Sequence, residues 1–340
     1  MTLDHPFTTP PEPGASPEVA PGVHWLRMRL PFALDHINLW LLEDGDAWVV
    51  VDTGIDDEHT RAVWEAVLAG KRVSRVVCTH FHPDHMGLAG WLCERHSVEL
   101  TATLGEWLYG RMLSLESGED YHASQVEHYR RAGFDDAMLA GVRERSGSYR
   151  TRVAPLPARV SEIRDGSRLI IGGRPWQVVT GSGHSPEHAG LWCKELGVLI
   201  SGDQILPRIS PVVGVWPQQP DGNPLADFLA SLEKLKTLPD EMLVLPSHGL
   251  PFRGLHARCD DLARHHAKRL DILRSAVAQP RTALELTRAL FRRELDASQI
   301  GFAVGETLAH ANYLLARGEM VREMGADGVW RYAAQSSLAQ

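Results

Sequence analysis

The chain has 340 residues, 44% hydrophobic and 23% charged, an ordinary globular composition with room for a large core and two domains. Its net charge of -8 and pI of about 6.1 argue against a general attraction to nucleic acid or acidic membranes. Cys78, Cys93, Cys193 and Cys259 form no C-x-x-C pair, which points away from a zinc knuckle or redox motif and toward reduced thiols. Residues 1–21 hold six prolines and read as a flexible lead-in. They lack the basic and apolar regions of a signal peptide. No run approaches the roughly 20 apolar residues of a membrane helix. A cytoplasmic protein without membrane association is expected.

Residues 37–42 and 47–51 alternate as strands around Glu43-Asp44-Gly45-Asp46, a hairpin signal. Asp52-Thr53-Gly54 ends the second strand, and an amphipathic helix runs from Asp57 to about Ala69. A strand over 73–78, a helix over 86–96 and a strand over 98–102 give α/β alternation. Residues 104–150 lose the strand signal. Trp107, Leu108, Met112 and Leu115 recur at helical spacing, so this stretch reads as a helical insertion that caps a site or lies as a solvated hairpin. Strands return over 167–171, 176–180, 190–193 and 197–201. An irregular proline-rich loop (206–224), a helix (224–238) and a short strand (242–245) follow. The remainder reads as a long helix (256–278), two helices (282–291 and 306–317) and a hairpin around Gly325-Ala326-Asp327, an order that looks like a winged helix.

The densest chemistry follows the strand at 73–78. Thr79-His80-Phe81-His82-Pro83-Asp84-His85 packs four metal-capable side chains into six residues. Imidazole and carboxylate suit zinc and its divalent neighbours. In extended geometry His80 and His82 share one side of the backbone, and Pro83 lets the chain turn Asp84 and His85 elsewhere, so one segment can feed two neighbouring metals. His184 in Gly183-His184-Ser185-Pro186-Glu187-His188, Asp203 in Gly202-Asp203, and His248 in Ser247-His248-Gly249 also stand at strand ends. Such ends are where α/β folds place ligands.

These motifs, together with Asp52-Thr53-Gly54, resemble the metallo-β-lactamase superfamily over roughly residues 22–255, and all five occur in family order. The resemblance implies an αββα sandwich, with a C-terminal helical, winged-helix-like domain over 256–340. It assigns His80, His82 and His184 to a first metal and Asp84, His85 and His248 to a second. Asp203 bridges them, leaving room for a bridging hydroxide, and Asp84 and Asp203 serve catalysis. Asp52 stands as the carboxylate behind a metal-bound imidazole. His188 supports the site or packs. His24 and His36 receive no role. Aspartate at position 203 and the full histidine set fit the binuclear, glyoxalase II-like branch. Two zinc ions are expected, with iron or manganese as alternatives.

The implied activity is hydrolysis of a small thioester, ester or lactone. Tyr109, Tyr121, His122 and the loop around Trp216 are the candidates for an apolar pocket wall. Pro211, Trp216 and Pro251-Phe252-Arg253-Gly254-Leu255 resemble both bacterial metallo-hydrolases with a winged-helix tail and β-lactamase-like ribonucleases. The competing reading is therefore a single-strand ribonuclease. That reading wants a basic groove. From Arg281 to Tyr332 seven arginines meet seven acids. The tail thus reads as a packing or homodimerisation module. A non-catalytic metal-binding regulator would be favoured by a missing ligand, and none is missing.

Overall fold

In the computed structural model, which describes residues 3–297 and 299–335, apolar alternation first builds a seven-stranded sheet. Its strands run in chain order: β1 (Glu18–Ala20), β2 (Val23–Arg29), β3 (His36–Asp44), β4 (Ala47–Val51), β5 (Arg72–Val77), β6 (Leu100–Ala102) and β7 (Ser161–Glu162). Pairing is antiparallel up to β4 and parallel from β4 to β7. Five further strands form a second sheet: β8 (Arg168–Ile171), β9 (Arg174–Gly181), β10 (His188–Cys193), β11 (Val198–Gly202) and β12 (Leu243–Pro246).

The period of two along each strand sorts side chains between two cores. On β3, Ile37, Leu39 and Leu41 face one way; Trp40 and Leu42 face the other. The first set joins Trp64 and Val67 of helix α1 (Glu58–Val67) and Leu92 and Cys93 further on. The second set meets Trp176, Val178, Leu191 and Ile200 of the five-stranded sheet, which closes a sheet-on-sheet core. The fold is the expected α/β sandwich.

The helix expected over 86–96 is broken into α2 (Pro83–Met86) and α3 (Ala89–His96). Gly87 lies between them. A Cβ there would sit 2.2 Å from the Pro83 carbonyl oxygen and 2.4 Å from that of Gly54, so only glycine passes. The described part of the lead-in makes contacts within the first unit. Glu18–Ala20 pair with β2, Asp4 bridges Arg253, and Phe7 packs edge-on against Trp25. Arg253 lies far along the chain, a partner that local composition cannot report.

The chain divides into two units. One takes the chain up to Leu115, Ser148–Pro211 and Glu233–Cys259; the other takes Glu116–Gly147, Val212–Leu232 and the chain from Asp260 onward. The region 104–150 is thus divided: α4 (Leu104–Leu115) goes with the first unit, whereas α5 (Glu119–Arg131) and α6 (Asp136–Arg145) go with the second. Helices α7 (Pro224–Leu235) and α8 (Leu255–Ala276) cross the division in sequence. The second unit contains β13 (Arg281–Thr282), α9 (Ala283–Leu290), α10 (Gln299–Ala316), β14 (Met320–Met324) and β15 (Trp330–Ala334), with β15 central in a three-stranded sheet. Thr282 and Glu285 form a capping box on α9. Helix α10 begins at Gln299, seven residues before the expected Glu306, because Asp296 caps it with a 2.9 Å bond from the Gln299 N–H. Among the described residues no helix is long and apolar enough to cross a membrane.

Asn38 links the two sheets. Its Oδ1 accepts from Trp25 Nε1 (2.9 Å) and Arg27 Nε (3.0 Å), and its Nδ2 donates to the carbonyls of Pro246 (2.8 Å) and Gly249 (3.0 Å). It is fully buried. Asn38→Leu keeps the volume but strands these partners, and should lower unfolding free energy by about 3 kcal/mol in urea denaturation. A loss under about 0.5 kcal/mol would contradict this linkage.

Candidate metal centre

The metal-capable residues gather because strands of both sheets end beside one another. Asp52 follows β4, the His80–His85 run follows β5, His184 stands in the turn between β9 and β10, Asp203 follows β11 and His248 follows β12. All of them belong to the first unit. The structure brings the seven residues expected as ligands into two groups: His80, His82, His184 and Asp203, and Asp84, His85 and His248. Within each group the donor atoms lie within 4.8 Å of one another.

In the first group His80 Nε2 is 2.9 Å from His82 Nδ1 and 3.2 Å from His184 Nε2. In the second, Asp84 Oδ2 is 3.6 Å from His85 Nε2 and 3.4 Å from His248 Nε2. Asp203 faces both. Its Oδ2 lies 3.5 Å from His184 Nε2, and its Oδ1 lies 3.5 Å from His85 Nε2 and 3.3 Å from His248 Nε2. His85 Nε2 and Asp203 Oδ1 are buried with no hydrogen-bond partner. Buried donors and acceptors are normally paired, so these two atoms fit a cation better than they fit each other. Nitrogen and oxygen donors without a thiolate suit a divalent ion of the zinc, iron or manganese kind.

A second layer of bonds fixes which nitrogen of each ring faces inward. The Asp52 carboxylate accepts from the Thr79 N–H at Oδ1 (2.7 Å), and from His85 Nδ1 (2.8 Å) and the Thr79 hydroxyl (2.9 Å) at Oδ2. The Thr79 hydroxyl in turn accepts from His80 Nδ1 at 3.0 Å. Asp52 therefore orients one imidazole in each group, which the sequence reading granted it for only one. His248 Nδ1 donates to the His36 carbonyl (2.7 Å), and the His36 ring accepts from Gly249 N–H (2.9 Å). His36 thus positions His248, contrary to the expectation that it has no role. His188 Nε2 accepts from the Asp203 backbone N–H at 3.2 Å. That contact needs Gly202, at φ 50°, where a Cβ would fall 2.3 Å from His188 Nε2.

Three supporting residues carried no sequence signal: Thr79, Glu106 and Tyr149. The Phe81 N–H donates to Glu106 (2.9 Å), and Tyr149 donates its hydroxyl to the Phe81 carbonyl. Both act on backbone atoms from distant segments, so no motif spacing reveals them. Of the four expected wall residues, Tyr109 reaches the site's edge: its ring is 4.6 Å from that of Phe81, which lies 4.5 Å from His82. Tyr121, His122 and Trp216 belong to the second unit, where Tyr121 contacts His122 and Trp216 packs on Phe302.

Burial and charge divide the two groups. Burial, aided by His184, pushes His82 down to about 3, and burial with neighbouring imidazoles pushes His80 well below the usual range. Burial opposes charge on His248 and His85 as well, but Asp203 and Asp84 outweigh it. They raise His248 to about 10 and His85 well above the usual range. The same pairs hold Asp203 well below the ordinary carboxylate value. Without a metal, His80 and His82 are neutral near pH 7, whereas His85 and His248 are imidazolium.

A family model described as Metallo-beta-lactamase superfamily matches residues 33–248, and one described as Metallo-beta-lactamase-like, C-terminal domain matches residues 270–335. A beta-lactamase domain protein from Burkholderia ambifaria is 46% identical, with a TM-score of 0.91 over 98% of each chain. A metallo-beta-lactamase family protein from Thermus thermophilus is 31% identical, with a TM-score of 0.79 over 93% of this chain and 100% of its own. The Probable metallo-hydrolase YqjP of Bacillus subtilis (strain 168) is 24% identical over 86% of this chain and 91% of its own length.

Thr79→Val removes the hydroxyl that joins Asp52 to His80, and should weaken metal binding about 10–100-fold without unfolding the chain. Chelator competition at constant pH measures this, and an unchanged affinity would refute the orienting role. Metal uptake should also release protons near pH 7. His85 and His248 have raised pKa values and must lose a proton to become ligands, so binding to their group tightens as pH rises toward about 10. His80 and His82 start neutral and should add little pH dependence above 7. Calorimetry in buffers of different ionisation enthalpy reads the proton release, and identical heats in all buffers would exclude it.

Proposed function

The chain belongs to the metallo-β-lactamase superfamily and is a metal-dependent hydrolase, and from that premise we propose that it cleaves a small thioester, ester or lactone using two metal ions, zinc first among the candidates. One observation carries this reading: Asp203 presents one oxygen to His184 and the other to His85 and His248. A carboxylate shared between two donor groups is what a two-metal site requires. His80, His82 and His184 would hold the first ion, Asp84, His85 and His248 the second, and Asp203 both. When bound, two such ions lower the pKa of a water and polarise the scissile carbonyl.

The chain's own residues supply position and access. Asp52, Thr79 and His36 engage Nδ1 of three imidazoles and so turn each Nε2 inward as the ligating nitrogen. His82 and Asp84 are the two partly exposed members of the set, and the other five are buried. Substrate therefore approaches on the side of α2, against an apolar wall of Phe81 and Tyr109. A deep-set centre in a chain of net charge -8 favours a small molecule over a polyanion. The order β13-α9-α10-β14-β15 supports reading the C-terminal unit as a winged helix, and its balance of arginine and acid supports a packing role over phosphate tracking.

Purified protein should turn over at least one of S-lactoylglutathione, acyl-homoserine lactones and nitrophenyl esters, and leave single-stranded RNA intact. Cleavage of RNA alone would reverse the assignment. Asp203→Ala should lower turnover by at least about 10²-fold, the scale of losing one preorganised electrostatic partner. Full activity in that variant would remove Asp203 from the mechanism.

A further inference from the structure

Glu106 lies on α4, outside every motif that identified the centre, yet it is fully buried. Its Oε2 accepts from the Phe81 N–H at 2.9 Å, and its Oε1 accepts from the Ser185 hydroxyl and the Glu187 N–H, each at 2.6 Å. Phe81 stands between His80 and His82, and Ser185 follows His184. One carboxylate thus joins the two segments that carry all three imidazoles of the first group. The arrangement is returned from the other side. The Glu187 carboxylate accepts from Gly105 N–H (3.1 Å) at the start of α4, and the Glu187 carbonyl accepts from the Thr103 hydroxyl (2.8 Å). The pair resembles a capping box drawn between distant segments.

A packing role does not account for this. Burial pushes the Glu106 carboxyl up to about 7, so its charge is held at a cost that a leucine or methionine would not incur. Every partner of the carboxylate is a donor, which calls for the ionised form. The first group also needs a tie: His80 Nε2 lies 2.9 and 3.2 Å from ring nitrogens of His82 and His184 on separate segments, and converging lone pairs repel.

We propose that Glu106, through Phe81, Ser185 and Glu187, is a positioning residue that sets the geometry of the three-imidazole metal group. The proposal rests on the reading above of His80, His82 and His184 as a metal site. The test uses the full chain and Co²⁺ as the probe, titrated against a competing chelator, with folding checked by circular-dichroism melting. A His248→Ala background cripples the second group, so the remaining step reports the first. There Glu106→Gln should weaken Co²⁺ binding about 10–100-fold, the usual scale for losing a bond that supports a ligand. Its amide turns an N–H toward a donor. Ser185→Ala should weaken binding by less, in the same direction. The same substitutions in a chain with an intact second group should leave the other step unchanged. Wild-type Co²⁺ affinity in both variants, with the fold retained, overturns the proposal. If Glu106→Gln does not fold, Ser185→Ala and Glu106→Asp decide on the same criterion. A wild-type chain that takes up a single Co²⁺ would sink the two-metal reading and not this one, which then expects that single step to weaken.

Discussion

Converging polar atoms where water scarcely reaches is the constraint on which the rest of this structure depends. Within each group the donor atoms lie within 4.8 Å of one another, and five of the seven side chains are buried. Such a set repels itself and lacks hydration, so it persists only if each member is held from behind. The sandwich meets this demand by ending β4, β5, β9, β11 and β12 beside one another. Each critical ring then has an anchor on its far nitrogen: Asp52 for His85, the Thr79 hydroxyl for His80 and the His36 carbonyl for His248. Asp203 is anchored through its backbone by His188. The rigid element supplies direction, and the hydrogen bond supplies the tautomer.

The two groups solve the desolvation problem differently. The three-imidazole group sheds charge, since burial and like neighbours favour the neutral form of His80 and His82. The other group keeps charge and pairs it, with His85 and His248 set against Asp84 and Asp203. Asp203 belongs to both groups: one of its oxygens faces His184, and the other faces His85 and His248, which hold protons. A cation held by His80 and His82 would displace no proton from them. A cation held by His85 and His248 would have to displace theirs.

Much of this centre was legible in the sequence, for a definite reason. His80, His82, Asp84 and His85 stand within six residues, and His184, Asp203 and His248 follow strands whose apolar runs are plain. Side-chain type and local period carried that information. What stayed hidden acts over distance and often through the backbone. Thr79, Glu106 and Tyr149 belong to residue types common everywhere, and their partners include an N–H or a carbonyl of another segment. His36 contributes a carbonyl, which no side-chain pattern encodes. The break between α2 and α3 likewise follows from Gly87 pressing on Gly54, a tertiary contact. The α/β sandwich was reached by resemblance, because periodicity fixes which face of a strand is apolar and not which sheet lies opposite.

Asp52 holds a left-handed backbone, φ 61°, at the end of β4. That conformation favours glycine and, after it, asparagine and aspartate. The same residue must also accept three bonds, from the Thr79 N–H, the Thr79 hydroxyl and His85. Glycine would satisfy the backbone and offer no acceptor. Asparagine would satisfy the backbone and set an N–H against a donor. Glutamate keeps the charge but neither the reach nor the tolerance for positive φ. Every neighbouring choice meets one requirement by failing another, so this position is an island in sequence space.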